Sequence, residues 1–135
     1  MITKNILIFI LFVISILGCK KNDTVIVDPA NTTEFYIVNN SNYEILVSAE
    51  TDGSLPRLIE SLAMDTNERS LFYSGRAISF PVPETSFSKF TISINLNNSK
   101  TIVYSKIDNN EWIEAVKNGN KRELQLEIDE TKFEL

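Results

Sequence analysis

Residues 90–104 read Phe-Thr-Ile-Ser-Ile-Asn-Leu-Asn-Asn-Ser-Lys-Thr-Ile-Val-Tyr. Phe90, Ile92, Ile94 and Leu96 alternate with Thr91, Ser93 and Asn95, the period of two expected of a strand with one face in a core and the other towards solvent. Asn97-Asn98-Ser99-Lys100 then reverses the chain. Asn tolerates the left-handed backbone of a tight hairpin turn better than most residues. The return strand runs through residues 102–104, and the stretch predicts an antiparallel hairpin.

Working outward, the same alternation returns on both sides. Leu124, Leu126 and Ile128 alternate with Gln125 and Glu127, before Asp129-Glu130 and a final Phe133 and Leu135. Between the two patterns, Trp112 and Ile113 lie in residues 110–117, a segment of open type that stops at Asn118-Gly119-Asn120. Upstream, residues 76–80 lead into Pro81-Val82-Pro83. Two missing ladder donors forbid a central strand there, leaving an edge strand or a crossover between sheets. Leu55, Leu58, Ile59 and Leu62 have helical spacing behind Ser54, while Leu58, Leu62 and Met64 also fit a strand. The strand is favoured because Asp65-Thr66-Asn67 then turns into residues 70–73 as an antiparallel pair, and a short helix stays open. Residues 35–38 and 43–49 flank Asn39-Asn40-Ser41-Asn42 and predict a further hairpin. About seven or eight short strands in this pattern predict an all-β fold, an antiparallel β-sandwich of immunoglobulin-like or transthyretin-like style.

The first 18 residues do not belong to that pattern. Residues 1–5 carry Lys4, and residues 6–17 are apolar except for Ser15, the charged start and apolar run of an export signal. The run is too short for a membrane-spanning helix, which needs ~20 residues, and no second apolar run follows. It ends in Ile16-Leu17-Gly18-Cys19, which resembles the lipobox of bacterial lipoproteins: aliphatic at −3, small at −1 and Cys at +1, with Leu17 at −2 bulkier than usual. The resemblance implies cleavage between Gly18 and Cys19, a diacylglycerol on the Cys19 thiol and an acyl chain such as palmitate on its new amine. Cys19 is the only cysteine of the chain. Burial of acyl chains stabilises membrane attachment by ~0.8 kcal/mol per CH₂, so several chains on one residue make a lasting anchor.

Lys20-Lys21-Asn22-Asp23 is similar to the start of many Bacteroidetes lipoproteins, in which Lys or Ser followed by acidic residues directs export to the cell surface; here Asp23 is the only acid. Position 20 is not Asp, which argues against inner-membrane retention. The resemblance implies the outer membrane and leaves open the side the protein faces. Asp23-Thr24-Val25 resembles the O-glycosylation tripeptide of the same phylum, which makes Thr24 a candidate acceptor beside the plainer reading as tether. An early Asn40-Ser41 turn, the strand Lys100-Thr101-Ile102-Val103-Tyr104 and a terminal strand are also similar in style to small lipoproteins of that group whose function is unknown. The expected organisation is a signal peptide over residues 1–18, a lipidated Cys and tether over 19–33, and a β-sandwich domain over 34–135. Within the tether, Val25, Ile26 and Val27 form the one patch capable of strand pairing.

Composition excludes several functions. The chain has no histidine, the usual proton carrier near neutral pH and the commonest transition-metal ligand. Ser-His-Asp and Cys-His catalysis and Cys/His zinc sites are therefore ruled out. The formal net charge is −5 and falls by one more unit when Lys4 leaves. No basic cluster exceeds Lys20-Lys21, so the footprint of nucleic-acid binding is missing.

Three candidate sites remain, each with a plainer reading. Asp108, Glu111 and Glu114, with Asn109 and Asn110, offer oxygen ligands for Ca²⁺ but lack EF-hand spacing and read equally as a polar turn. Glu127, Asp129 and Glu130, or Asp65 and Glu68, offer carboxylate pairs for glycoside hydrolysis, which only spatial separation defines. Trp112 with Tyr73 and Tyr104 offers an aromatic surface for stacking a sugar or binding a protein, or else packs the core. No catalytic residue, metal or cofactor beyond the covalent lipid is expected. The expected function is a lipid-anchored, non-enzymatic binding or accessory module of the cell envelope, with an envelope protein or a glycan as partner. A periplasmic inhibitor or assembly partner using a sheet edge near residues 81–83 or a loop around Trp112 is the second reading. A His-free carboxylate hydrolase is the third.

Overall fold

The computed structural model describes residues 30–52 and 58–134, with backbone alone at 58–60. The signal peptide, Gly18, Cys19, Thr24, the Val25–Ile26–Val27 patch and Leu55 lie outside the described residues. Eight strands are present: β1 (Asn31–Asn39), β2 (Ile45–Thr51), β3 (Leu58–Met64), β4 (Arg69–Ala77), β5 (Phe87–Leu96), β6 (Ser99–Tyr104), β7 (Trp112–Asn118) and β8 (Lys121–Ile128). They form two four-stranded sheets, of order β4-β1-β8-β7 and β3-β2-β5-β6, packed face to face as the sandwich expected from the alternating strands.

Alternation decides which side chains meet between the sheets. Phe35 and Ile37 of β1, Ile45, Val47 and Ala49 of β2, Ile92 and Ile94 of β5, and Leu124, Leu126 and Ile128 of β8 are all buried. Aromatic rings fill the middle. Phe35 meets Trp112 edge-on at 5.5 Å, Phe87 lies parallel to Trp112 at 6.3 Å, and Phe90 meets Tyr104 edge-on at 6.1 Å. Such pairs add ~0.5–1.5 kcal/mol each beyond the area they bury.

The hairpin of residues 90–104 forms as its sequence predicts. Asn97 and Asn98 have φ of 52° and 62°, the left-handed pair that a two-residue turn needs to match the strand twist. Gly119, with φ of 58°, serves the turn between β7 and β8. Residues 58–64 are strand β3 rather than helix, and residues 110–117 resolve into a short 3-10 turn, Asn109–Glu111, followed by β7. Residues 78–82 cross from one sheet to the other and lead into a single helical turn, α1 (Pro83–Ser86).

Two expected hairpins are crossovers instead. β1 and β2 lie in opposite sheets, as do β3 and β4. The first segment contains no positive φ; Asn39 and Ser41 are buried within it, so their side chains carry the chain across the core edge rather than reverse it. The tether boundary moves as well. β1 begins at Asn31, and Thr33, placed in the tether from sequence, is completely buried. The cause is the pairing of β1 with β8, whose register starts at Thr32↔Lys121. That pair is parallel, the one departure from an otherwise antiparallel arrangement.

Candidate functional site

The aromatic surface expected of Trp112, Tyr73 and Tyr104 is replaced by a core. Trp112 is 7% exposed and Tyr104 2%, while Tyr73 is half-buried against Phe35 and Phe87. A sandwich this small needs its largest side chains inside, and these three close the gap between sheets. The loop around Trp112 is edge strand β7, which leaves Ile113 and Val116 exposed.

The carboxylates singled out from sequence serve local structure. Asp108 accepts from the backbone N–H and the side chain of Asn110, capping the 3-10 turn. Glu111 pairs with Lys132, and Glu114 faces Arg122 at 3.8 Å. Asp129 caps the second 3-10 turn, Glu130–Lys132, through the backbone N–H of Thr131 at 2.9 Å. Glu130 accepts from the Asn42 backbone at 2.7 Å, and Glu68 from the Asp65 backbone at 2.8 Å. Among the described residues no three such groups come close enough to hold a metal ion.

These bonds set the acidity. Hydrogen bonds from Thr131, Asn42 and Ser70 hold Asp129, Glu130 and Glu68 respectively below the ordinary carboxylate range. A general acid for glycoside hydrolysis needs the opposite shift. Burial and the nearby acids Glu111, Asp108 and Glu134 push the Tyr104 phenol upward, so it stays neutral.

The outer faces of the two sheets differ in chemistry. On the β4-β1-β8-β7 face the polar groups satisfy one another. Lys121 pairs with Glu34 at 2.9 Å, Tyr36 donates to Glu34 at 3.1 Å, and the Arg69 guanidinium lies 3.6 Å from the centre of the Tyr36 ring. Arg69 also pairs with Glu123 at 2.9 Å and donates to Gln125 at 3.2 Å, and Gln125 donates to Glu127. The hydrogen bond from Lys121 lowers the pKa of Glu34, and the same bond raises that of Lys121.

The β3-β2-β5-β6 face is hollow. Two adjoining depressions of about 240 and about 340 Å³ lie along it. Ser48, Ser61, Ala63, Thr91 and Ser93 line their floor, with Glu44, Lys100 and Ile102 at the sides and Lys89 facing Glu50 at 3.8 Å. The trough lies where Ser48 of β2, Ser61 and Ala63 of β3, and Thr91 and Ser93 of β5 set short side chains side by side, so the backbone there lies close to the surface. Thr91 and Ser93 donate to the carbonyls of Ser48 and Leu46 at 3.4 Å, long enough to yield to a better acceptor. In the sequence these positions are only the solvent side of half-buried strands. Their signal was shortness: hydroxyls and Ala stand where a solvated face usually carries Lys, Glu or Gln.

No family model matches the chain, and no curated protein and no solved structure shows significant similarity to it.

Proposed function

We propose that this chain is a Bacteroidetes-like lipoprotein, anchored through Cys19 to the outer membrane, whose β-sandwich is a non-catalytic binding or accessory module of the cell envelope. The observation that carries the binding role is the trough of hydroxyls on the β3-β2-β5-β6 face. A ligand rich in hydroxyl groups, such as an envelope glycan, fits a floor of Ser and Thr rimmed by both Lys89 and Lys100 and Glu44 and Glu50, because such groups exchange weak internal bonds for directed ones. The missing histidine and the lowered carboxylate pKa values support the non-catalytic part. The lipobox residues 16–19 support the anchor, and Thr24 remains a candidate glycan acceptor.

Retention of the full-length chain on envelope glycans tests this reading, beside a Thr91→Trp variant that fills the trough. Retention lost in the variant at unchanged thermal stability is the expected result. Turnover of any envelope substrate, or retention indifferent to Thr91→Trp, contradicts it.

Edge strand β7 favours the second reading, an inhibitor or assembly partner, because Ile113 and Val116 are 56% and 49% exposed on a strand with one free side. Such an edge can add a partner's strand. A stoichiometric protein recovered from envelope extract, and lost on Val116→Lys, separates it from glycan binding.

A further inference from the structure

The two ends of the sandwich differ in polarity, and the chain leaves for its N-terminus from one of them. Ala30 accepts from Asn120 of the β7–β8 turn, and Asn31 donates to the carbonyl of Ile78. Residues 78–83, Ile-Ser-Phe-Pro-Val-Pro, run across this same end as the crossover from β4 to β5. Ile78 is 83% exposed, more than any other large apolar side chain described. Phe80 lies between two cations, Lys117 Nζ at 5.4 Å and the Arg122 guanidinium at 5.1 Å from its ring. Arg76, exposed near the end of β4, lines a depression together with Asp52 and makes no ion pair with a described acid.

Acids at this end are mostly engaged. Glu84 exchanges bonds with Asn109 at 3.2 and 3.4 Å, and Glu114 faces Arg122; Asp52 is the exposed exception. The opposite end carries Asp65, Glu68, Asp129 and Glu130 among Asn-rich turns; its cations Arg69 and Lys132 are paired with Glu123 and Glu111, and Lys100 is exposed beside the Asn97-Asn98 turn.

We infer that the crossover end, with Ile78 at its tip and Arg76 and Lys117 beside it, is a docking surface for a phospholipid bilayer with anionic headgroups. An exposed apolar tip with Arg76 two residues before it and Lys117 over the ring of Phe80, two residues after it, suits the boundary between headgroups and acyl chains, where the tip is dehydrated and the ammonium and guanidinium groups reach phosphate. The occupant follows from where the chain leads. Cys19 lies eleven residues before Ala30, a span of at most ~35–40 Å, so this is the end from which the chain leads to the lipid. A nine-residue strand is itself ~30 Å long, so the tether alone permits many stances. The surface selects the one in which the acidic end faces away from the membrane and the trough lies along the side of the molecule. This inference rests on the lipoprotein reading only for the proximity that Cys19 provides.

The test uses the full-length chain recovered from membranes, with its intact mass read first. Ile78→Cys and, separately, Thr66→Cys at the far end are labelled with an environment-sensitive fluorophore and mixed with phosphatidylcholine vesicles or with vesicles containing one-third phosphatidylglycerol. The label at 78 is expected to shift to the blue and to be quenched by a lipid-borne quencher in the anionic vesicles, while the label at 66 stays in water. Arg76→Glu with Lys117→Glu abolishes the difference. Equal solvent exposure of the two labels on anionic vesicles overturns the inference. If the mass shows no acyl chains the anchoring reading falls, and the labels, now in a Cys19→Ala background, are titrated with the same vesicles. Affinity for the anionic vesicles that drops about fivefold for each cation neutralised then upholds the surface, and no affinity refutes it.

Discussion

The side-chain amide of Asn39 donates to the main-chain carbonyl of Asp65 at 2.9 Å, joining the two crossovers at one end of the sandwich. The same nitrogen donates to the carbonyl of Tyr43 at 2.8 Å, and the side-chain oxygen accepts from the backbone and hydroxyl of Ser41. The Asn39 backbone adds bonds to Glu68 and Asn67, and Asn40 donates to Ile128. One completely buried residue therefore ties the end of β1 to the crossover between β3 and β4 and to the segment leading into β2.

Replacing Asn39 with Ala is expected to destabilise the domain by ~2–4 kcal/mol, because it strands buried carbonyls without donors. Asn39→Asp costs at least as much at neutral pH, since a carboxylate then faces two carbonyls. Urea denaturation checks both. A loss below ~1 kcal/mol for Asn39→Ala shows that the crossovers are held elsewhere.

Tyr104 carries the one buried side-chain polar atom, among the described residues, that lacks a hydrogen-bond partner. Tyr104→Phe is accordingly predicted to change stability by less than ~1 kcal/mol at pH 7, in the stabilising direction. The phenol pKa is raised in the folded state, so its contribution is intact below the unfolded value of ~10 and is lost as pH climbs above it. Unfolding curves at pH 7 and 11 should converge on a smaller alkaline loss for Tyr104→Phe than for the parent.

Arg122 secures the crossover end. Its guanidinium donates to the carbonyl of Pro81 at 2.6 Å and to the Thr33 hydroxyl at 3.1 Å. Gly75 lets Pro81 sit close, since a Cβ there would approach the Pro81 ring to 3.3 Å. Arg122→Met should cost ~2–3 kcal/mol and expose residues 78–83 to protease, and Arg122→Lys should restore little, because an ammonium cannot span both acceptors. Limited proteolysis of the three proteins distinguishes this from a merely electrostatic role, which Lys would rescue.

Asp129, Glu130 and Glu68 have lowered pKa values in the folded state. Their stabilisation is present above the unfolded carboxylate range of ~4 and disappears as pH falls through the folded values. Stability should hold from pH 7 to about 5 and decline below about 4. Glu130→Gln, measured by thermal unfolding across that range, should flatten part of the decline; an unchanged slope contradicts the assignment.

Strand content was legible because Phe90, Ile92 and Ile94, like Leu124, Leu126 and Ile128, obey a period of two that only a half-buried strand requires. Pairing was less so. Asn97-Asn98 and Asn39-Asn40 are alike as letters, yet the first adopts left-handed angles and turns a hairpin, while the second buries an amide and crosses between sheets. Only the tertiary partners of Asn39, most of them far along the chain, separate the two. The parallel pairing of β1 with β8 left no local trace, so Asn31, Thr32 and Thr33 read as tether. Trp112, Tyr73 and Tyr104 were large enough for either surface or core, and the size of the sandwich decided for core. The trough was written in short side chains at outward positions, a signal visible only once the register placed Ser48, Ser61, Thr91 and Ser93 side by side.

Lipid anchoring at Cys19 is decided by the intact mass of the full-length chain extracted from membranes, beside a Cys19→Ala variant. The expected mature chain starts at Cys19 and carries a diacylglycerol and a further acyl chain, with both modification and membrane retention lost in the variant. An unmodified Cys19, or a variant that stays in the membrane, contradicts it.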